Sequence, residues 1–203
     1  MSYPSHFEDD AMVIRKTVVG PFENNVYVIG CKKTGEAVIV DAAAEADRIV
    51  EACDGFTITR VITTHGHGDH VQAVGGIRTA LGVPVGIHEA DVKIAGIVPD
   101  FLIAEGDDIA VGEIRLTAMH TPGHTPGGLC FLNGQHLFSG DTLFPGGPGN
   151  TKNSTGHFPT IIDSIRERLF TLPLETLVYP GHGLDTTIGT EAPHLEEWIA
   201  RGW

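Results

Sequence analysis

A layered α/β sandwich is the fold class this sequence predicts. Three observations point to it: β-rich runs fill the opening, strand, loop and helix units recur in both halves, and a late helix carries one apolar face. Residues 13–19, 26–30 and 37–40 are short β-rich runs separated by Gly20-Pro21, Asn24-Asn25 and Thr34-Gly35. Read as turns, these breaks suggest an antiparallel meander. Residues 44–53 then read as a helix, 57–63 as a strand, and 70–81 as a helix with Val71, Val74, Ile77, Ala80 and Leu81 apolar. The second half repeats the style, with strands at 114–119, 128–132, 136–139 and 176–179 and helices at 160–170 and 191–200. In the helix at 160–170, Ile161, Ile162, Ile165, Leu169 and Phe170 fall at helical spacing, so one face packs on a sheet.

A chain of 203 residues is long enough to bury a substantial core, and one compact domain over residues 1–203 is the expectation. Hydrophobic residues at 41% and charged residues at 19% fit an ordinary globular composition. Cys31, Cys53 and Cys130 are odd in number and lack CxxC spacing, which argues against a disulfide framework and a thiolate zinc site; they read as small buried hydrophobes. A net charge of −13 argues against nucleic acid and anionic membrane surfaces as partners. It leaves small anionic substrates open, because bound divalent cations can dominate the potential of one cleft. The start, MSYPSHFEDDAM, has neither a basic region nor an apolar stretch, and no run of eighteen apolar residues follows, so the expected location is cytoplasmic. The oligomeric state is left open.

The strongest chemical signal is His65-Gly66-His67-Gly68-Asp69-His70, directly after the strand at 57–63. Residues two apart on an extended segment point to one side, so His65 and His67 can converge on one cation. Asp69 and His70, at the turn into the next helix, can face a second. Gly66 and Gly68 let the loop bend tightly there. Clustered imidazoles gain nothing without a metal, whereas neutral imidazole is the commonest metal ligand. Three further candidates sit in glycine-flanked loops after strands: His124 in TPGHTPGG, Asp141 in SGDTLF and His182 in YPGHG. Taken singly, each also fits a local hydrogen-bonding turn residue.

In their order and contexts, HGHGDH, GHTPGG, GDTLF and GHG resemble the metallo-β-lactamase superfamily over nearly the whole chain, and Asp41 after residues 38–40 matches the first motif of that pattern. The resemblance implies a four-layer αββα sandwich with the site at one edge. It implies that His65, His67 and His124 hold one metal, that Asp69, His70 and His182 hold a second, and that Asp141 bridges both. Asp41 is not a ligand in the pattern; it either braces the loop or simply ends a strand. Such a ligand set suits two divalent ions, zinc first, with iron or manganese as alternatives. Two ions supply hydroxide at neutral pH and polarise a carbonyl, with Asp69 as the catalytic residue that orients the nucleophile or shuttles its proton.

Within the superfamily, GHTPGG and GDTLF are similar to the glyoxalase II branch, the hydroxyacylglutathione hydrolases, and GHGLDTTIG to its short bacterial members. Thioester hydrolysis of a small-molecule substrate is therefore the leading expectation. Only 21 residues follow His182, so no separate C-terminal helical thiol-binding domain is expected. The loop after GDTLF places Asn150 and Lys152 as candidate substrate contacts, with Lys152 receiving a carboxylate or standing solvated. The rival reading is a mononuclear-iron persulfide dioxygenase using residues matching His65, His124 and Asp141; that family departs from the pattern at the last histidine motif, which is intact here. A lactonase and an inactive metal-binding module are the remaining alternatives. His6, His88, His120, His136, His157 and His194 fall outside the motifs and read as structural or surface residues.

Overall fold

The structure is a computed structural model describing residues 3–202. Seven strands form a first sheet in sequence order: β1 (Phe7–Glu8), β2 (Met12–Val19), β3 (Asn24–Cys31), β4 (Glu36–Val40), β5 (Thr57–Ile62), β6 (Val85–Ile87) and β7 (Phe101–Leu102). Pairing is antiparallel from β1 to β4 and parallel from β4 to β7. The second sheet uses β8 (Asp108–Val111), β9 (Ile114–His120), β10 (Leu129–Asn133), β11 (His136–Gly140), β14 (Leu177–Pro180) and β15 (Thr186–Thr187), in the order β15-β14-β11-β10-β9-β8. Between them in sequence, β12 (Leu143–Phe144) and β13 (Gly147–Pro148) make a small separate hairpin. Among the described residues no helix is long and apolar enough to cross a membrane.

Strand alternation explains the layering. Along β3, Tyr27 and Ile29 face the second sheet, while Val26 and Val28 face outward onto α1 (Ala46–Ala52) and α3 (Val74–Leu81). In the second sheet Phe131, Phe138 and Tyr179 face inward, and Cys130, Leu137 and Val178 face α5 (Phe158–Ser164) and α7 (Leu195–Arg201). Both faces of both sheets are therefore apolar, and helices cover the outer ones, giving the αββα sandwich. The isoleucine stripe expected at 160–170 packs as read, with Ile161, Ile165 and Leu169 buried against Trp198. That helix passes from α to π geometry over Ile165–Leu169. All three cysteines are free and buried, as expected.

Two expectations need correcting. Residues 70–81 do not form one helix: α2 (Gly68–Val71) stops and α3 starts anew. The break follows from Ala73, whose N–H donates to Ala42 O and Ala43 O instead of to the preceding helical turn. Asn24-Asn25 is not a turn; both residues are buried inside β3. Asn25 bonds across to the end of β14 and the loop after it, its Nδ2 donating to Pro180 O at 2.9 Å and Gly183 O at 3.0 Å. Local sequence reads asparagine as a turn former because the distant partner is not visible to it.

Parallel pairs β4/β5 and β11/β14 run their C-terminal ends to one edge of the sandwich, where the segments after β4, β5, β11 and β14 carry Asp41, His65, Asp141 and His182. The two sheets are pinned there by Leu129 N–H donating to Thr64 O at 2.7 Å and Tyr27 Oη–H donating to Pro180 O at 2.8 Å. Phe138 is fully buried between Tyr27 and Tyr179, at centroid distances of 5.3 and 5.1 Å. Phe138→Ala leaves a cavity in this inter-sheet layer and is expected to cost about 3–5 kcal/mol in denaturant unfolding; a loss under about 1 kcal/mol would mean that the layer repacks freely.

Candidate metal centre

The four motif loops meet in one cluster. His65, His67 and His124 form one group of potential ligands, Asp69, His70 and His182 another, and Asp141 joins His65 and His70 between them. Within each group the ligating atoms lie within 4.8 Å of one another. Asp141 stands centrally, with Oδ1 at 3.5 Å from His70 Nε2 and Oδ2 at 3.4 Å from His124 Nε2 and 3.6 Å from His182 Nε2.

Each imidazole is tethered by one ring nitrogen, which leaves the other for the cluster. His124 Nδ1–H donates to Asn150 O and His182 Nδ1–H to Phe22 O, both at 2.8 Å. His70 Nδ1–H donates to Asp41 Oδ2 at 2.8 Å. Thr64 Oγ1 donates to Asp41 Oδ2, so it accepts from His65 Nδ1–H at 3.1 Å. Thr155 Oγ1 donates to Asn153 Oδ1 and so accepts from His67 Nε2–H at 3.0 Å. Four Nε2 atoms and the Nδ1 of His67 are thereby presented inward, and a fixed tautomer with an outward N–H partner is how proteins hold metal-binding imidazoles.

Asp41 braces this arrangement. It is buried and has φ 64°, a left-handed conformation that aspartate tolerates better than most residues, and the strain sits next to the site. Its Oδ1 also accepts the Thr64 N–H at 2.7 Å. Asn24, which the sequence did not reveal as a site residue, donates from Nδ2 to Asp69 Oδ2 at 2.9 Å and lies 3.4 Å from His182 Nε2.

The electrostatics suit a cation. Burial and then the neighbouring His70 hold His65 well below the usual histidine range, and burial with His124 lowers His67. Burial opposes charge on His182, but the carboxylates of Asp141 and Asp69, 3.6 and 3.5 Å from its Nε2, outweigh it and push the imidazole up to about 10. His70 is raised, because Asp141 and Asp41 outweigh its burial. Burial would raise Asp69 and Asp141, yet the surrounding imidazoles keep both far below the carboxylate range, so both stay ionised. His65 Nε2 and Asp141 Oδ1 are buried without a hydrogen-bond partner. Orphaned buried donors and acceptors are costly, and both point to where a divalent ion would bond them. The residues present therefore fit a metal centre.

Beside the cluster lies an open cleft of about 380 Å³ lined by His124, Asp141, His182, Phe144, Asn150 and Arg201, with glycines at 146, 147 and 149. Asn150 thus borders the site and also holds His124 through its carbonyl. Lys152 lies two residues beyond, its N–H donating to Asn150 Oδ1 at 2.9 Å. Arg201, on α7 and far from any motif, brings a guanidinium to the cleft and donates to Gly146 O at 3.2 Å. His88 and His120 stack on each other at 4.2 Å outside the ligand groups.

Gly181 explains its own place in the YPGHG motif, because a Cβ there would overlap Asp141 Oδ1 and lie 2.8 Å from His70 Cε1. Gly181→Ala is expected to weaken metal binding by about tenfold or more while circular dichroism stays native. Unchanged metal affinity would show that Asp141 and His70 do not set it.

The chain matches the metallo-beta-lactamase superfamily over residues 19–182. It is 36% identical to a hydroxyacylglutathione hydrolase of Polaromonas sp. over 84% of this chain and 66% of that enzyme. It is also 36% identical to the mitochondrial persulfide dioxygenase ETHE1 of Mus musculus, over 77% of this chain and 62% of that one. This chain therefore spans just under two thirds of the length of those two relatives. Among solved structures, TTHA1623 in a di-iron-bound form superposes with a TM-score of 0.79 at 31% identity, covering 88% of this chain and 96% of that one. By sequence and by fold, this chain belongs to the metallo-beta-lactamase superfamily.

Proposed function

We propose that this protein is a binuclear metallo-hydrolase that cleaves a thioester of a small thiol, in the manner of the hydroxyacylglutathione hydrolases. The observation that carries this reading is the second triad, Asp69, His70 and His182, assembled beside the first, with Asn24 holding Asp69 and Asp41 holding His70 as well as reaching His65 through Thr64. A chemistry that needed one ion at His65, His124 and Asp141 would leave that assembly without work. The proposed ligands are His65, His67 and His124 for one ion, Asp69, His70 and His182 for the other, and Asp141 for both. Zinc is the first candidate, and iron or manganese suit the same donors; the di-iron form of TTHA1623 speaks for iron.

Two such ions supply Lewis acidity and acidify a bound water toward neutral pH. Asp69 Oδ2, held by Asn24 Nδ2, is the group proposed to orient the attacking water and take its proton. The carbonyl carbon is attacked and the carbon–sulfur bond breaks; a thiolate, of pKa about 8.5, leaves without a dedicated acid. The glycine-rich wall at residues 146–149 leaves room for the thiol arm, and Arg201, with Asn150 on the same lining, receives an anionic end of the substrate; Lys152, two residues beyond Asn150 and outside that lining, is a further proposed contact. The substrate is a small molecule, and the cytoplasm is the proposed site of action.

The equal identity to ETHE1 favours a second reading, persulfide oxidation at a single iron. Metal analysis of purified protein, combined with hydrolysis of S-lactoylglutathione under air and under nitrogen, separates the two. About two ions per chain with oxygen-independent cleavage is expected; one iron per chain with oxygen uptake on glutathione persulfide and no cleavage would establish the rival. Arg201→Ala is expected to raise KM for a carboxylate-bearing thioester about tenfold with metal content unchanged, the signature of lost ground-state binding. An unchanged KM would remove Arg201 from substrate recognition.

A further inference from the structure

Asp91 is fully buried, belongs to none of the sequence motifs, and reaches two ligand loops at once. It ends the short turn Glu89–Asp91, just before α4 (Val92–Ala95). Its Oδ2 accepts from Gly66 N–H at 2.7 Å and from Thr125 Oγ1 at 2.6 Å, and its Oδ1 accepts from Gly127 N–H at 2.7 Å. Gly66 separates His65 from His67, and Thr125 follows His124. One carboxylate therefore ties together the backbone around all three members of the first triad.

Two motif glycines are shaped by this contact. A Cβ on Gly66 would lie 2.7 Å from Asp91 O, and one on Gly127 would lie 2.7 Å from Asp91 Cγ. Neither glycine has a positive φ. Their lack of a side chain thus serves the approach of Asp91. Gly68, by contrast, faces open space.

We infer that Asp91 is a positioning residue that sets the spacing of His65, His67 and His124, and through it the cation affinity of the first triad; Asn24 contacts the second triad, and Asp41 reaches both. The inference rests on reading these histidines as metal ligands. Its physical basis is donor and acceptor matching. A carboxylate offers acceptors only, and three donors point at it. In Asp91→Asn one oxygen becomes an NH2 group facing donors, which leaves buried N–H or O–H groups unmatched and drives the two loops apart. A purely structural role would instead lower global stability and weaken both triads alike.

Titration of the metal-free protein with Co2+, followed by visible absorption, separates these roles. A His182→Ala background isolates the first triad, and a His124→Ala background isolates the second. Asp91→Asn is expected to weaken Co2+ binding about 10–100-fold in the first background and to leave it within about twofold in the second. Thr125→Val, which removes one donor of the three, is expected to act in the same direction with smaller size, and it carries the test if Asp91→Asn does not fold. Equal weakening in both backgrounds, or none in the first, overturns the inference. If the unsubstituted chain takes no Co2+, the ligand assignment falls and the inference with it; a two-ion chain whose first triad ignores Asp91→Asn overturns the inference alone.

Discussion

Five imidazoles and two carboxylates cannot be crowded into one partly dry cluster unless something compensates their desolvation, and the edge of this sandwich is arranged around that constraint. Hydrogen bonds compensate part of it. Every imidazole has one nitrogen satisfied by a backbone carbonyl, a threonine hydroxyl or Asp41. What remains uncompensated is inward-facing: His65 Nε2 and Asp141 Oδ1. The carboxylates in and beside the cluster, Asp141, Asp69 and Asp41, favour protonated His70, and Asp141 and Asp69 favour protonated His182. A cation bound there would compete with protons for one set of atoms, which would couple its affinity to pH.

The fold serves this edge. Parallel pairing in both sheets brings the strand ends together, and the inter-sheet aromatics Tyr27, Phe138 and Tyr179 set the distance between them. Tyr27 does both jobs, with its ring in the core and its hydroxyl on the Pro180 carbonyl next to the His182 loop. Errors in core packing would thus reach the candidate ligands through few intermediates.

Much of this was legible in the sequence because the chemistry is local there. HGHGDH carries four donors in six residues, and the apolar alternation of the strands and the isoleucine stripe at 160–170 report burial directly. What stayed hidden acts across long separations. Asp91 meets partners 25, 34 and 36 residues away, Asn24 bonds Asp69 45 residues on, and Arg201 comes to the cleft from the final helix. A single aspartate, asparagine or arginine carries no periodicity or spacing to mark it. The Asn24-Asn25 pair even pointed the wrong way, since residues that usually cap turns are here cross-links between the two sheets. The break at Ala73 has the same origin, a competing carbonyl from the segment after β4.

The chain's similarity to both a hydroxyacylglutathione hydrolase and a persulfide dioxygenase makes the number of ions the decisive quantity. An anomalous-difference map from crystals of the metal-loaded protein measures it directly. Two peaks about 3.5–4 Å apart, one among His65, His67 and His124 and one among Asp69, His70 and His182 with Asp141 between, is the predicted result. A single peak bound by His65, His124 and Asp141, with the second triad still hydrogen-bonded to itself, would contradict the binuclear assignment.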